Sequence, residues 1–179
     1  MPDDLVDKTF NIEARQRYGI EEVPGEDMGY FSAISKAGNP KFFKLRAQLL
    51  DDGRDIVPLA ETDNLWTWIK VYASGGENVL HSHENEDHMF IVLHGRARFY
   101  GPNKEEKELG RNEGLMLPAG TYYYFNSCAE EPLVLLRVGS RAQEGEINMR
   151  RGPDGEEIRG GSKKNKWKAP VRREGAYYE

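Results

Sequence analysis

The sequence predicts an all-β protein, built as a β-sandwich or barrel. The chain has 179 residues, enough for one domain with a core and extensions. Its middle part carries short runs rich in aromatic and β-branched residues, and turns containing Gly or Pro separate them about every six to ten residues. No apolar run approaches the roughly 20 residues of a membrane-spanning helix, so no membrane span is expected.

Seven segments have the composition of strands, and they are 65–72, 79–83, 89–94, 96–100, 114–117, 121–126 and 132–138. Alternation along the first segment places Trp66 and Trp68 on one face, where we expect them to pack an N-terminal extension or a dimer partner. The segment 41–50 is compatible with either a helix or a strand.

These segments divide the chain into three parts. Residues 1–64 are predicted as an N-terminal extension that packs on the barrel or on a dimer partner, with a short helix over residues 5–18. Residues 65–140 form the predicted barrel. Residues 141–179 form a charged, Gly-rich tail that is expected to lack its own core.

The cysteine count and the distribution of charge limit the possible location and partners of the protein. Cys128 is the only cysteine, which excludes an internal disulfide and favours a reducing cytoplasm. The net charge is −5, but the tail over residues 163–173 is basic. Because short charge runs are usually solvated faces, we expect a solvated or partner-clasping arm there, and nucleic-acid binding is the less favoured alternative.

Three of the four histidines, His81, His83 and His88, lie close together in the sequence. His81 and His83 are two positions apart, so their side chains leave the same face of an extended strand. His88 opens the next strand, and two antiparallel strands joined by the acidic loop 84–87 can bring all three rings together. Because imidazole is the commonest metal ligand at neutral pH, the pattern predicts a metal site.

Aromatic residues are expected beside this site. By the alternation of strands, Phe90 and Val92 face inward with His88, and Tyr123 and Phe125 face the interior from another strand. Such a wall suits binding of a planar or apolar organic substrate. Ordinary packing of the barrel core is the equally supported alternative.

The segment 65–140 resembles the cupin superfamily. The first cupin motif has the form Gly, five residues, His-x-His, three or four residues, Glu, six residues, Gly, and Gly75, His81, His83 and Gly95 fit it. The second motif contains Pro-x-Gly, which Pro118 and Gly120 match. The resemblance implies a double-stranded β-helix, or jelly-roll barrel, with an N-terminal extension and a charged C-terminal tail.

The chain departs from the family motifs at two ligand positions. His88 stands at the usual glutamate position, and Tyr123 stands where the last histidine ligand is usual. Asp87 also lies within the spacing tolerated for the acidic ligand, so it is the rival third ligand or a residue that orients a histidine ring. We prefer His88 as the ligand because of its inward parity. Tyr123 is either a fourth ligand or a hydrogen-bond donor to the substrate.

A site made of three neutral imidazoles leaves the charge of the ion undiminished. The ion is then a stronger Lewis acid and favours anionic substrates such as enolates or phenolates. A divalent transition metal is expected, and Fe, Mn, Zn, Ni and Cu all suit such ligands.

The first functional hypothesis is a metal-dependent dioxygenase-type enzyme acting on a small enolisable or aromatic compound. The reaction type follows from the resemblance alone. The alternatives are a non-oxidative lyase or isomerase on the same site and a non-catalytic cupin that binds a small ligand as a sensor or store. Since cupins commonly dimerise through their N-terminal strands, a homodimer is expected.

Overall fold

The computed structural model describes residues 41–128, 130–140, 149–163, 165 and 167–179. These residues form eleven strands: β1 (Ala47–Asp52), β2 (Arg54–Glu61), β3 (Leu65–Tyr72), β4 (Gly76–His81), β5 (His88–His94), β6 (Ala97–Tyr100), β7 (Glu106–Leu109), β8 (Gly114–Leu117), β9 (Tyr123–Ser127), β10 (Leu133–Ser140) and β11 (Val171–Tyr178). The all-β prediction is confirmed, and the seven predicted strands correspond to β3–β6 and β8–β10. The helix predicted over residues 5–18 lies outside the described residues.

Two antiparallel sheets build the barrel. One has five strands in the order β2-β3-β10-β5-β8, and the other has four in the order β4-β9-β6-β7. Apart from the consecutive pairs β2-β3 and β6-β7, neighbours in each sheet are distant in sequence, so the chain crosses repeatedly between the sheets. This double-sheet arrangement confirms the predicted jelly roll. The barrel sheet also includes β2, which lies before the predicted start of the barrel at residue 65.

The interior of the barrel contains an apolar core at one end. Its members are buried aromatic and aliphatic side chains: Tyr72, Phe90, Val92, Ala97, Phe99, Leu109, Leu117, Tyr123, Phe125, Leu133 and Leu135. Alternation along the strands places them on the inner face, and the polar side chains described below fill the other end.

A second apolar cluster lies on the outer face of the five-stranded sheet. It contains Ile69 and Val71, which alternate with the inward-facing Lys70 and Tyr72 of β3. The two-stranded sheet β1-β11 covers this cluster, and Leu50 of β1 is fully buried there. The sheet therefore has apolar side chains on both faces, which explains its nearly continuous apolar strands.

The tail pairs its basic side chains with acids of β1 and β2. Arg172 Nη2 lies 2.6 Å from Asp55 Oδ2, and Arg173 Nε lies 2.7 Å from Asp51 Oδ1. Lys168 pairs with Asp52. These ion pairs lie within one chain, so the expectation of a solvated or partner-clasping arm and the nucleic-acid alternative both stay predictions. Lys164 and Lys166 lie outside the described residues.

Within the ranges given above, no helix has the length and apolar character needed to cross a membrane.

Gly139 of β10 makes room for the indole of Trp66. The two residues are cross-strand partners, and a Cβ added at Gly139 would lie 2.1 Å from Cζ2 of Trp66. Trp66 is 1% exposed, so its ring has no free space into which to move.

Replacement of Gly139 by alanine is therefore expected to lower the free energy of unfolding by about 1–3 kcal/mol, the usual range for overpacking. Urea denaturation measures the loss. The matched control is G161A, because an added Cβ at Gly161 meets nothing within 4 Å. Equal midpoints for the two variants would contradict the assigned packing of Trp66.

Candidate metal centre

The inner face of β5 positions His88 as its parity predicts. The side chains of His88, Phe90 and Val92 are buried, while those between them are less so. His83 lies just after β4 and is also buried. The turn between the two strands places the two histidine rings 4.1 Å apart, centroid to centroid.

Glu86 completes a group of possible metal ligands with these two histidines. One nitrogen of His83, one of His88 and one oxygen of Glu86 all lie within 4.8 Å of one another. Glu86 Oε2 is 3.0 Å from His88 Nε2 and 3.9 Å from His83 Nδ1. Trp66 Nε1 donates to the other oxygen, Oε1, at 3.4 Å, so the carboxylate is oriented from both sides.

Arg137 contacts the same two rings. Its Nη2 lies 3.1 Å from His83 Nε2 and 3.0 Å from His88 Nδ1, with a longer contact of 3.5 Å to His88 Nε2. The guanidinium carbon also lies 5.0 Å from the centroid of the Trp66 ring. Arg137 is fully buried.

Glu77 is the centre of a buried ionic cluster deeper in the barrel. It pairs with Lys70, and Arg150 Nη2 lies 3.1 Å from its Oε1. The hydroxyls of Tyr72 and Tyr123 lie 3.4 Å and 3.5 Å from its carboxylate oxygens. Burial alone would raise the pKa of Glu77, but the charges of Lys70 and Arg150 outweigh it and hold this pKa well below its usual range.

The structure places His81 beside Glu77 and outside the ligand group. Its Nδ1 lies 2.7 Å from the carbonyl oxygen of Val79, and its Nε2 lies 3.4 Å from Glu77 Oε2. The geometry therefore brings together His83 and His88 of the predicted three-histidine set and adds Glu86 in place of His81. Ligation by His81 stays a prediction.

Asp87, the predicted rival ligand, faces away from the centre. Its Oδ1 accepts a hydrogen bond from the amide of Ala119, and its own amide donates to Ser140 Oγ. Asp87 is exposed, whereas its neighbours Glu86 and His88 are buried. The carboxylate at the centre therefore comes from the residue one position earlier, whose side chain leaves the turn on the other side.

Tyr123 lies inside the barrel as predicted, but its hydroxyl donates toward Glu77. Burial, followed by the nearby charge of Glu77, raises the pKa of this phenol. The neutral phenol therefore predominates, which opposes a role as a phenolate ligand and suits a hydrogen-bond donor.

The predicted substrate-binding residues Phe90, Val92 and Phe125 are all fully buried in the interior core. The ring of Phe90 contacts those of Phe99 and Phe125 at centroid distances of 5.5 Å and 5.7 Å. These contacts match the alternative of ordinary core packing. A substrate role for the three residues stays a prediction.

Sequence reasoning missed four charged members of this interior, which are Lys70, Glu77, Arg137 and Arg150. The sequence does contain a signal for two of them, Lys70 and Arg137. Each is a charged residue in a mainly apolar or aromatic strand. Residues two positions away face the interior, so the charged side chain must face it too. A single charge at such a position indicates a buried ionic partner. Arg150 carries no such signal, because it lies outside any strand.

The segment that carries Arg150 also covers the mouth of the barrel. Arg151 pairs with Ser82 through backbone hydrogen bonds of 2.9 Å and 3.0 Å, and its Nε lies 2.9 Å from Glu84 Oε2. Ile158 is buried beneath this segment. A small pocket remains beside the ligand group, lined by His83, Glu84, Asn85, Glu86, Met149 and Arg151.

The side chains around His83 fit a divalent transition metal. Two imidazoles and a carboxylate are buried within ligand distance of one another, and His83 Nδ1 has no hydrogen-bond partner among the described residues. Burial, reinforced by the charge of Arg137, lowers the pKa of His83 and His88, so both rings are neutral and can ligate. The contacts of Arg137 oppose this fit, because they engage the same rings.

Residues 68–139 match the family model described as the cupin domain, Cupin_2. These residues therefore form a cupin domain, as the sequence motifs predicted. No curated protein matches the chain.

The chain is similar to several solved structures. A protein of Ralstonia eutropha JMP134, provisionally assigned as a mannose-6-phosphate isomerase, is 19% identical with a TM-score of 0.50 over 57% of this chain and 100% of its own. KdgF from a Halomonas species is 18% identical, with a TM-score of 0.49 over 59% and 97% of the two chains. A double-stranded β-helix protein of Klebsiella pneumoniae is 16% identical, with a TM-score of 0.49 over 55% and 81%. At such identities a likeness shows the fold alone.

The buried histidines predict a loss of stability in mild acid. Burial lowers the pKa of His81, His83 and His88 from the ordinary value of 6.5. Below that pH the unfolded chain takes up protons that the folded chain does not, so the free energy of unfolding falls as the pH falls. Each such histidine adds a slope of about 1.4 kcal/mol per pH unit. H88Q should therefore show a shallower slope than the wild type in urea denaturation between pH 7 and pH 5.

The control for this experiment is H94Q. His94 lies at the end of β5 with its side chain 35% exposed, 3.4 Å from Glu131. If H88Q changes the slope no more than H94Q does, the buried, neutral state assigned to His88 is wrong.

The Glu77 cluster predicts a second effect on stability. E77Q removes the negative charge that compensates Lys70 and Arg150, and breaking a buried ion pair from one side costs about 3–5 kcal/mol. E108Q is the control, because Glu108 pairs with Arg96 and Arg98 at the surface and should change stability far less. Similar urea midpoints for the two variants would contradict the central place of Glu77.

Proposed function

We propose that the protein is a metal-dependent cupin enzyme that acts on a small enolisable or aromatic compound in a dioxygenase-type reaction. The group formed by His83, Glu86 and His88 is the observation that carries the proposal. Two histidines and one carboxylate with open positions are the donor set of non-haem Fe(II) oxygenases. The carboxylate removes one unit of the charge of the ion, which the three-histidine set would leave in place.

The bound ion would supply Lewis-acid and redox chemistry to a substrate oxygen. The residues of the chain supply its surroundings. Trp66 orients the Glu86 carboxylate by a hydrogen bond of 3.4 Å from Nε1 to Oε1. The buried interior excludes water, which strengthens each electrostatic contact with the substrate.

The charges near the centre support an anionic substrate. Arg137 and Arg150 are both buried, and a guanidinium stays protonated at all relevant pH values. Arg151 and Met149 line the pocket beside His83 and Glu86, so the route to the centre has both a cationic and an apolar side. Enolates and phenolates combine these two characters.

Tyr123 is proposed to donate a hydrogen bond within this site or to protonate the bound substrate. Its raised pKa keeps the proton on the phenol, and its hydroxyl lies 3.5 Å from Glu77. A homodimer and a cytoplasmic location complete the proposal. They rest on the family resemblance and on the single cysteine of the chain.

The second candidate is a non-catalytic cupin that binds a small ligand. The contacts of Arg137 with His83 and His88 favour it, because a group of the protein itself lies at hydrogen-bond distance from both rings. The filled aromatic core favours it as well. A lyase or isomerase on the same centre is the non-oxidative variant of the first candidate.

Metal analysis and oxygen uptake test the proposal together. The wild type, loaded with Fe(II) without oxygen, is expected to hold about one ion per chain and to consume oxygen with some member of a panel of phenols and 1,3-diketones. E86Q should lose at least about tenfold in metal affinity and lose oxygen uptake, because a ligand is removed. The readouts are elemental analysis and an oxygen electrode.

E84Q is the matched control, since Glu84 lies in the same turn but pairs with Arg151 at the surface. If E84Q loses metal as E86Q does, the ligand assignment is wrong. If loaded protein binds compounds of the panel without turnover, the enzyme hypothesis is wrong and the ligand-binding candidate replaces it.

A further inference from the structure

We propose that Arg137 is a positioning residue that opposes metal binding by packing against His83 and His88 and by holding His83 in the tautomer whose lone pair points away from Glu86. The inference rests on the metal centre of the proposed function and adds a built-in competitor to it. A divalent ion and the Arg137 guanidinium then exclude each other.

The first step of the argument is geometric. Glu86 faces His83 Nδ1 and His88 Nε2, at 3.9 Å and 3.0 Å. Arg137 Nη2 lies 3.1 Å from His83 Nε2, the nitrogen of that ring opposite Glu86. It lies 3.0 Å from Nδ1 and 3.5 Å from Nε2 of His88, so it contacts that ring beside both nitrogens. His83 therefore lies between a carboxylate and a guanidinium, with one nitrogen directed at each.

The second step concerns protons. A guanidinium has five N–H donors and no acceptor, so each nitrogen that receives its hydrogen bond must carry a lone pair. A neutral imidazole has one lone pair and one N–H, so acceptance by His83 Nε2 places the proton of that ring on Nδ1, the nitrogen that faces Glu86.

The third step concerns the ion. Ligation by His83 through the nitrogen that faces Glu86 requires a lone pair on Nδ1. The remaining proton of this neutral ring must then lie on Nε2, where an N–H would point at an N–H of Arg137. An ion at His83 Nε2 would instead need the space that Nη2 fills. In both arrangements Arg137 must leave His83 before the ion can bind.

Arg137 is held in place by several groups. It is fully buried, its Nη1 lies 3.9 Å from Glu77 Oε1, and its guanidinium carbon lies 5.0 Å and 5.4 Å from the ring centroids of Trp66 and Phe90. Withdrawal of the Arg137 side chain therefore costs free energy, and this cost weakens metal binding. By linkage, an oxyanion that draws the guanidinium away from the rings strengthens metal binding by the same factor.

Titration of the metal-free full-length protein with Zn²⁺ in a calorimeter tests the proposal. R137M removes every donor but keeps a side chain of similar length, and it should bind Zn²⁺ at least about tenfold more tightly than the wild type. R150M is the matched control. It removes a buried charge from the same cluster, where Arg150 bonds Glu77, and it leaves the contacts of Arg137 with the histidines in place.

The proposal requires R137M to exceed R150M in Zn²⁺ affinity. Equal affinities would show that Arg137 acts only through its charge, and they would overturn the competition while leaving the metal centre intact. Failure of the wild type and both variants to bind Zn²⁺ would overturn the metal centre and the competition with it.

A measurement on the wild type keeps the test independent of whether R137M folds. Long-range ¹H–¹⁵N spectra of the histidine rings report which nitrogen carries the proton. Metal-free protein should show the proton on Nδ1 of His83, and saturating Zn²⁺ should replace this signal by that of the opposite tautomer. A proton on Nε2 of His83, the nitrogen that faces Arg137, in the metal-free protein would overturn the proposal.

Discussion

The carboxylate of Glu77 is the interaction on which the interior of this barrel depends. It lies 1% exposed among Lys70 and Arg150, and it also faces Arg137 at 3.9 Å. Three cationic side chains could not be buried at one end of a jelly roll without an anion between them, because an uncompensated buried charge is very costly. The negative charge of Glu77 is therefore required for the burial of all three cationic side chains. Because Arg137 contacts His83 and His88, Glu77 also affects the two histidine rings.

Two layers of charge follow from this arrangement. The inner layer is Glu77 with its cations, and the outer layer is Glu86 with His83 and His88. Arg137 connects them, since it lies near Glu77 and contacts both histidines. Binding of an ion or an anionic compound in the outer layer would consequently change the interaction of Arg137 with Glu77 in the inner layer. The barrel mouth and its interior thus form one electrostatic unit.

Much of the fold could be predicted from the sequence, because strand composition and turn residues are local signals. All seven predicted strands form, and the parity of β5 correctly places His88 inside. The carboxylate of the centre could not be predicted in the same way. Glu86 and Asp87 are adjacent acids in one turn, and only the tertiary contacts with Trp66 and Ala119 decide which one faces inward. Arg150 reaches the interior from a segment distant in sequence, which no periodicity reveals.

The sheet formed by β1 and β11 joins parts of the chain that are far apart, as the ion pair between Arg46 and Glu179 illustrates at a separation of 133 residues. Closing so long a loop costs conformational entropy, and this cost slows the pairing of β1 with β11. The outer layer should therefore assemble after the barrel strands. The stretch from Arg150 to β11 covers both the mouth of the barrel and its outer apolar face. Partial detachment of that stretch would therefore open the mouth of the barrel and expose the apolar outer face of the sheet at the same time. Access to the centre is thus coupled to the risk of self-association.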